Sequence, residues 1–307
     1  MKRRRIFSRT TNNPQCHPLR KQGKQTAGFT LIELLVVISV IALLVAILVP
    51  SLQAARRQAG AAACQARLRQ WGLAFRMYLD ENKGRWMSYS ETTAGSSGRS
   101  LWLRSTYPFW SGIARGRRLE SHRSKNDTEI VGTERCLAMC PMTGLNKPYP
   151  FGAFAHWFEG RLGRSEKYIM VSYAFNNWLY SRQLEGQYVM EGRPAWPGAW
   201  GTCEIRGAAI IPVLGDGFAD GYMFHDEPPP KEETGAGGTI EWGDFCINRH
   251  NGGINMLFMD WSVRKVGLKE LWTLKWSRTF DTAGPWTLAG GVKPEAWPMW
   301  MRRFKDY

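Results

Sequence analysis

Apolar and polar residues are mixed along most of this chain, with one clear exception near its start. From Phe29 to Val49, twenty-one residues run with a single charged side chain, Glu33. A helix of that length rises about 31 Å, enough to cross a hydrocarbon core of roughly 30 Å. No hydrophilic face interrupts the run, so the pattern predicts a transmembrane helix over 29–49 rather than a helix buried in a soluble core. After Pro50 the pattern changes. Cys64, Leu68, Trp71, Phe75 and Leu79 recur at steps of four, three, four and four, while Arg56, Arg57, Gln58, Arg67, Arg69, Gln70 and Arg76 fall on other faces. That spacing continues the helix in amphipathic form to about Asp80, where Asn82 and Gly84 supply the stop. One helix over 29–80, about 52 residues and roughly 78 Å long, is expected, with Pro50 kinking or loosening its middle.

Residues 81–307 read as a head of another kind. Short β-type runs (Tyr168–Tyr173, Ala208–Leu214, Ile254–Met259) lie between turn signals such as Gly95-Ser96-Ser97-Gly98, Trp196-Pro197-Gly198 and Asp226-Glu227-Pro228-Pro229-Pro230. The expected fold class is therefore α+β: a long N-terminal helix, its second half packed on an antiparallel β-sheet head with large loops. No second apolar run reaches eighteen residues, so the expected topology is a single pass.

Charge sharpens the membrane reading. The formal net charge is +15, but eight of the 41 Lys and Arg lie in residues 1–28, a stretch without any acid. A cluster of that kind in front of an apolar helix controls topology and argues against a nucleic-acid surface. It keeps the N-terminus cytoplasmic and sends the head to the periplasmic, extracytoplasmic side of an inner membrane; Arg56 and Arg57 beyond the span weaken the asymmetry without reversing it. A cleavable secretory signal would need a shorter apolar core with a small-residue site after it. Here the small residue, Gly28, precedes the apolar run.

Gly28-Phe29-Thr30-Leu31-Ile32-Glu33, a basic leader before it and a long apolar run after it together resemble the signal of type IV pilins and type II secretion pseudopilins. The resemblance implies a leader, 1–28, removed by prepilin peptidase between Gly28 and Phe29, and N-methylation of the new terminus at Phe29. It also places the family's glutamate at Glu33, as the residue that sets register during assembly, and its proline at Pro50. The physics agrees on Glu33, because a carboxylate at membrane depth needs a partner and no Lys or Arg lies within the run. The freed amine of a sister subunit's Phe29 would be one such partner; hydration at the cytoplasmic interface is the alternative.

Further along, Arg249-His250-Asn251-Gly252-Gly253 through Asp260 resembles the H-x9-D-G box of a large group of pseudopilin-like bacterial proteins, with Trp261 in place of the usual glycine. Read physically, the box is an Asn-Gly turn, a strand and an Asp turn, with His250 bonding Asp260 or capping a turn. A catalytic His–Asp pair is the sharper alternative, and no nucleophile motif accompanies it. Asp216, Asp220 and Asp226 read first as a hydrated acidic turn, and as a calcium site if the head follows those pseudopilins that hold calcium in a loop. Of six cysteines, Cys16 falls in the leader; Cys136, Cys140, Cys203 and Cys246 are the disulfide candidates in an oxidising compartment, their pairing open. Cys136 and Cys140 with His156 would form half a zinc site, and Cys64 is expected packed and reduced.

The expected function is structural, not enzymatic: a subunit processed by prepilin peptidase and assembled with other pilin or pseudopilin subunits into a type II secretion pseudopilus or type IV pilus-like filament. An inner-membrane platform and its cytoplasmic ATPase are the implied drivers, and no cofactor is called for. The alternative is a membrane-tethered extracytoplasmic carbohydrate-binding protein using a pilin-type export signal, with Trp196 and Trp200 as the sugar platform.

Overall fold

The computed structural model describes residues 30–88, 101–106, 109, 121–123, 129–131, 137–143, 157–158, 168–181, 198–217, 221–233 and 245–307. The leader, Gly28, Phe29, Cys136, His156, Trp196 and Asp220 lie outside the described residues. Helix α1 spans Leu31–Glu81 with Pro50 inside it. Its start is fixed by Thr30 and Glu33. The Glu33 backbone N–H donates to the Thr30 Oγ1 at 3.2 Å, and the Glu33 carboxylate accepts from the Thr30 backbone N–H at 2.8 Å. This reciprocal pattern is a capping box, which satisfies donors that the first helical turn leaves free. At the other end Lys83 and Gly84 both take positive φ, and the Gly84 N–H donates to the Leu79 carbonyl.

By internal contacts the chain divides into two compact units, Met1–Ser51 and Leu52–Tyr307. In the first, every helical residue from Leu31 is exposed within the single chain, Leu31 at 78% and Ile47 at 69%. In the second, α1 buries Cys64, Leu68, Trp71, Gly72, Ala74, Phe75 and Leu79. All five positions of the amphipathic spacing are among them.

Among its described residues the second unit holds a short helix α2 (Leu101–Ser105) and eight strands: β1 (Ser121–Arg123), β2 (Glu129–Val131), β3 (Trp157–Phe158), β4 (Tyr168–Val171), β5 (Tyr173–Phe175), β6 (Pro212–Asp216), β7 (Gly253–Phe258) and β8 (Val263–Gly267). Strands β5-β6-β7-β8 form a four-stranded sheet in that order, antiparallel throughout. A second small sheet has the order β1-β2-β4-β3 and is mixed, because β2 and β4 run parallel. The apolar run from Ala208 does not start as a strand: Ala208–Ile210 is a 3-10 turn behind Gly207 at φ 78°, and the strand begins at Pro212.

Helix and antiparallel sheet meet through large aromatics. Phe75 packs on Trp86 and Phe175, and Trp102 lies against Trp71 and Phe175, with ring centroids 5.0–6.1 Å apart. Gly72 permits the approach of α1 to β7, since a Cβ there would sit 3.1 Å from a Leu257 methyl. The tryptophans of this face are therefore core. Such rings contribute large buried areas where a single helix covers a thin sheet.

Candidate functional site

Among the described residues, chemistry concentrates at the start of the apolar helical run and in a buried polar cluster of the head. In the first, Glu33 is the sole charge within an otherwise apolar helical run, and its carboxylate is turned back onto the Thr30 backbone N–H and Oγ1, both at 2.8 Å.

The head cluster is built by four separate segments. Cys64 comes from α1, one turn before Leu68. Asp216 ends β6, where it pairs with Tyr173 of β5. His250 precedes β7 in a tight turn: its N–H donates to the Gly253 carbonyl at 2.9 Å, Asn251 and Gly252 take φ 50° and 83°, and the Asn248 side chain accepts from the Gly252 N–H. Cys140 arrives on a turn tied on two sides. Trp71 and Arg67 of α1 donate to the Leu137 and Met139 carbonyls, and the Cys140 N–H donates to Ser172 Oγ at 2.5 Å. Two contacts seat α1 on β7: Gln65 donates to Asn255 Oδ1, and Asn255 Nδ2 donates to the Ala61 carbonyl.

Within the cluster His250 Nε2 lies 2.9 Å from Asp216 Oδ2 and 3.5 Å from Cys140 Sγ. Cys64 Sγ is 3.5 Å from both Asp216 oxygens, and Tyr173 donates its hydroxyl to the same sulfur at 3.5 Å. Cys64, Cys140, Asp216 and His250 are all buried, and their four ligand-type atoms lie within 4.8 Å of one another. Around them, Arg249 reaches Asp216 Oδ1 at 3.1 Å and the Ser172 and Gly217 carbonyls, while the Asn255 N–H donates to Asp216 Oδ2 at 2.8 Å.

Electrostatics follow from these contacts. Burial alone would raise the Asp216 carboxyl, but the His250 hydrogen bond and charge, Arg249 and the Asn255 N–H outweigh it and hold the group at about 2. Burial would likewise lower His250, yet its bond to Asp216, with Cys64 beside it, lifts it to about 9. The two thiols differ. Burial works against ionising Cys64, but hydrogen bonds with Cys140 and His250 bring it down to about 7, whereas burial and its neighbour push Cys140 up.

Several sequence expectations change here. His250 does not bond Asp260: Asp260 is exposed and its Oδ1 accepts from the Ser262 N–H and hydroxyl, closing the turn between β7 and β8. The carboxylate that meets His250 is Asp216, because β6 is the neighbour of β7. A Ser-His-Asp relay engages opposite ring nitrogens, whereas here Nε2 faces both Cys140 and Asp216 and the buried Nδ1 has no hydrogen-bond partner among the described residues. Trp261 adopts φ 68° despite its side chain, so the turn keeps the backbone that glycine usually supplies. Of the calcium candidates, Asp216 is wholly buried with both oxygens engaged and Asp226 is exposed, while Asp220 lies outside the described residues. Cys140, Cys203 and Cys246 carry free thiols, as does Cys64, and Cys140 faces the cluster. Trp200 is 7% exposed with its indole N–H on the Trp276 carbonyl, which removes its face from any sugar platform. Sequence reasoning missed the role of Cys64, and the only available signal was a thiol on the buried stripe of α1.

Against known proteins, residues 23–49 match the family described as the prokaryotic N-terminal methylation motif. No curated protein and no solved structure matches the chain. Basic leader, apolar helix and motif agree: at residues 23–49 this protein carries an N-terminal methylation signal of the kind found in type IV pilins and pseudopilins.

Proposed function

We propose that the protein is a structural subunit of a pseudopilus or type IV pilus-like filament, anchored in the inner membrane with its head on the periplasmic side. Prepilin peptidase cleaves between Gly28 and Phe29 and methylates Phe29. The apolar helices of successive subunits then pack together, while the heads form the outer wall. The observation that carries this reading is the first unit of the helix, apolar on every side and exposed throughout in the single chain. A lone span needs only lipid, but a cleaved signal that retains its helix leaves a surface for sister subunits, and Glu33 gives that surface its one polar landmark. An inner-membrane platform and its cytoplasmic ATPase are the implied drivers of assembly.

The test separates the charge of Glu33 from its cap. Glu33→Gln keeps an oxygen able to accept from the Thr30 N–H but removes the charge that a sister amine would meet. The expected result is a chain inserted in the membrane and cleaved, with Phe29 as methylated first residue by mass spectrometry, yet lost from crosslinked pilin-like assemblies. Incorporation of Glu33→Gln at the native level would remove the charge from the mechanism. A native chain that retains Met1 and never crosslinks to a pilin-like partner would overturn the reading as a whole.

A further inference from the structure

The buried cluster of the head has the donor set and the spacing of a metal site. We propose that Cys64, Cys140, Asp216 and His250 bind one zinc ion in tetrahedral geometry, stapling α1 to the sheet. An ion bonded to sulfur at about 2.3 Å and to nitrogen or oxygen at about 2.0–2.1 Å sets neighbouring ligand atoms about 3.3–3.8 Å apart in a tetrahedron. Cys64 Sγ to Asp216 and Cys140 Sγ to His250 Nε2 are each 3.5 Å. The His250–Asp216 edge is shorter, at 2.9 Å, where a shared proton now holds the two together and an ion would replace it, and all four ligand atoms lie within 4.8 Å of one another.

Charge points to a divalent ion. Two thiolates and a carboxylate bring three negative charges into a site without water access, and Arg249, buried against Asp216, brings one positive charge. A divalent ion makes the whole neutral, which a buried polar site requires. Two thiolates, an imidazole and one carboxylate in tetrahedral array select zinc over magnesium or calcium, which take oxygen ligands in larger number. Supporting contacts reach two of the four ligands: Tyr173 donates to the Cys64 sulfur, and Arg249 and the Asn255 N–H orient Asp216. Binding releases the two thiol protons and the proton between His250 and Asp216 to solvent. All four positions are filled by side chains, so the ion has no open site for a substrate and serves structure. The proposed zinc set thus joins Cys140 to three partners distant in sequence.

The experiment uses the full chain extracted in detergent without chelator or a metal-affinity tag. Elemental mass spectrometry is expected to give about one zinc per chain, falling roughly tenfold or more in Cys64→Ser and in Cys140→Ser and unchanged in Cys203→Ser, whose thiol lies outside the cluster. Two measurements on the native chain keep folding apart from ligation. Cobalt(II) added after zinc removal gives the intense visible bands of a tetrahedral ion and a sulfur-to-metal charge-transfer band, and thiol labelling of the denatured chain shows Cys64 and Cys140 reduced. Absence of both zinc and the cobalt spectrum, a disulfide-linked Cys64–Cys140 peptide, or zinc that persists in both serine variants would each overturn the proposal.

Discussion

Arg249 shows how one residue holds a buried site together. Its side chain is wholly buried, and the guanidinium neutralises Asp216 while also serving the Ser172 and Gly217 carbonyls. Removing one partner of such a pair leaves a buried charge without compensation, so Arg249→Met is expected to destabilise the head by about 3–5 kcal/mol, read from denaturant unfolding followed by tryptophan fluorescence. Gly253 is a second point of strict geometry. A Cβ there would collide with the Val266 carbonyl across the β7–β8 pair, which is backbone and has no other rotamer to take. Gly253→Ala is expected to cost about 1–3 kcal/mol in the same measurement, as overpacking does. The adjoining box residues divide by position: His250 reaches inward to Asp216, while Asp260 only closes a surface turn.

At the scale of elements, α1 is one helix with two chemistries. From Leu31 to Val49 it is apolar all round, and from Cys64 to Leu79 only a stripe is buried. A paired substitution tests the stripe: Trp71→Ala removes a fully buried ring and is expected to lower stability by about 3–5 kcal/mol, whereas Leu73→Ala, two residues on and 55% exposed, shifts it by no more than about 0.5 kcal/mol. The antiparallel sheet has its own logic. Strands β6 and β7 are adjacent although 36 residues separate Asp216 from Gly253, and that adjacency brings His250 to Asp216. Strand runs were visible from composition and alternation, but which strands pair was not, because pairing depends on long-range packing.

For the molecule as a whole, the division at Ser51 and Leu52 makes a separable prediction. Zinc removal is expected to lower head stability by about 3–4 kcal/mol when free zinc had exceeded its dissociation constant by a hundred- to a thousandfold. Glu33→Gln leaves the head's unfolding transition in detergent where it was, since the Glu33 carboxylate bonds Thr30 within the first unit. Assembly and head stability would thereby be set by different parts of one chain, the apolar first unit for polymerisation and the stapled second unit for the wall.

What the amino-acid order by itself determined is the local part: the basic leader, the methylation motif, an apolar span long enough for a bilayer, and the buried stripe of α1 from Cys64 to Leu79. Each depends on neighbours within a few turns of one helix, so spacing reveals it. The metal-type cluster is another matter. Its four residues are spread from position 64 to position 250 and meet only because α1, the turn at Cys140, the end of β6 and the turn before β7 converge in the folded head. No periodicity encodes a meeting of that kind. Tertiary packing alone decided that His250 faces Asp216 rather than Asp260, and that Cys64 and Cys140 stand beside them out of reach of water.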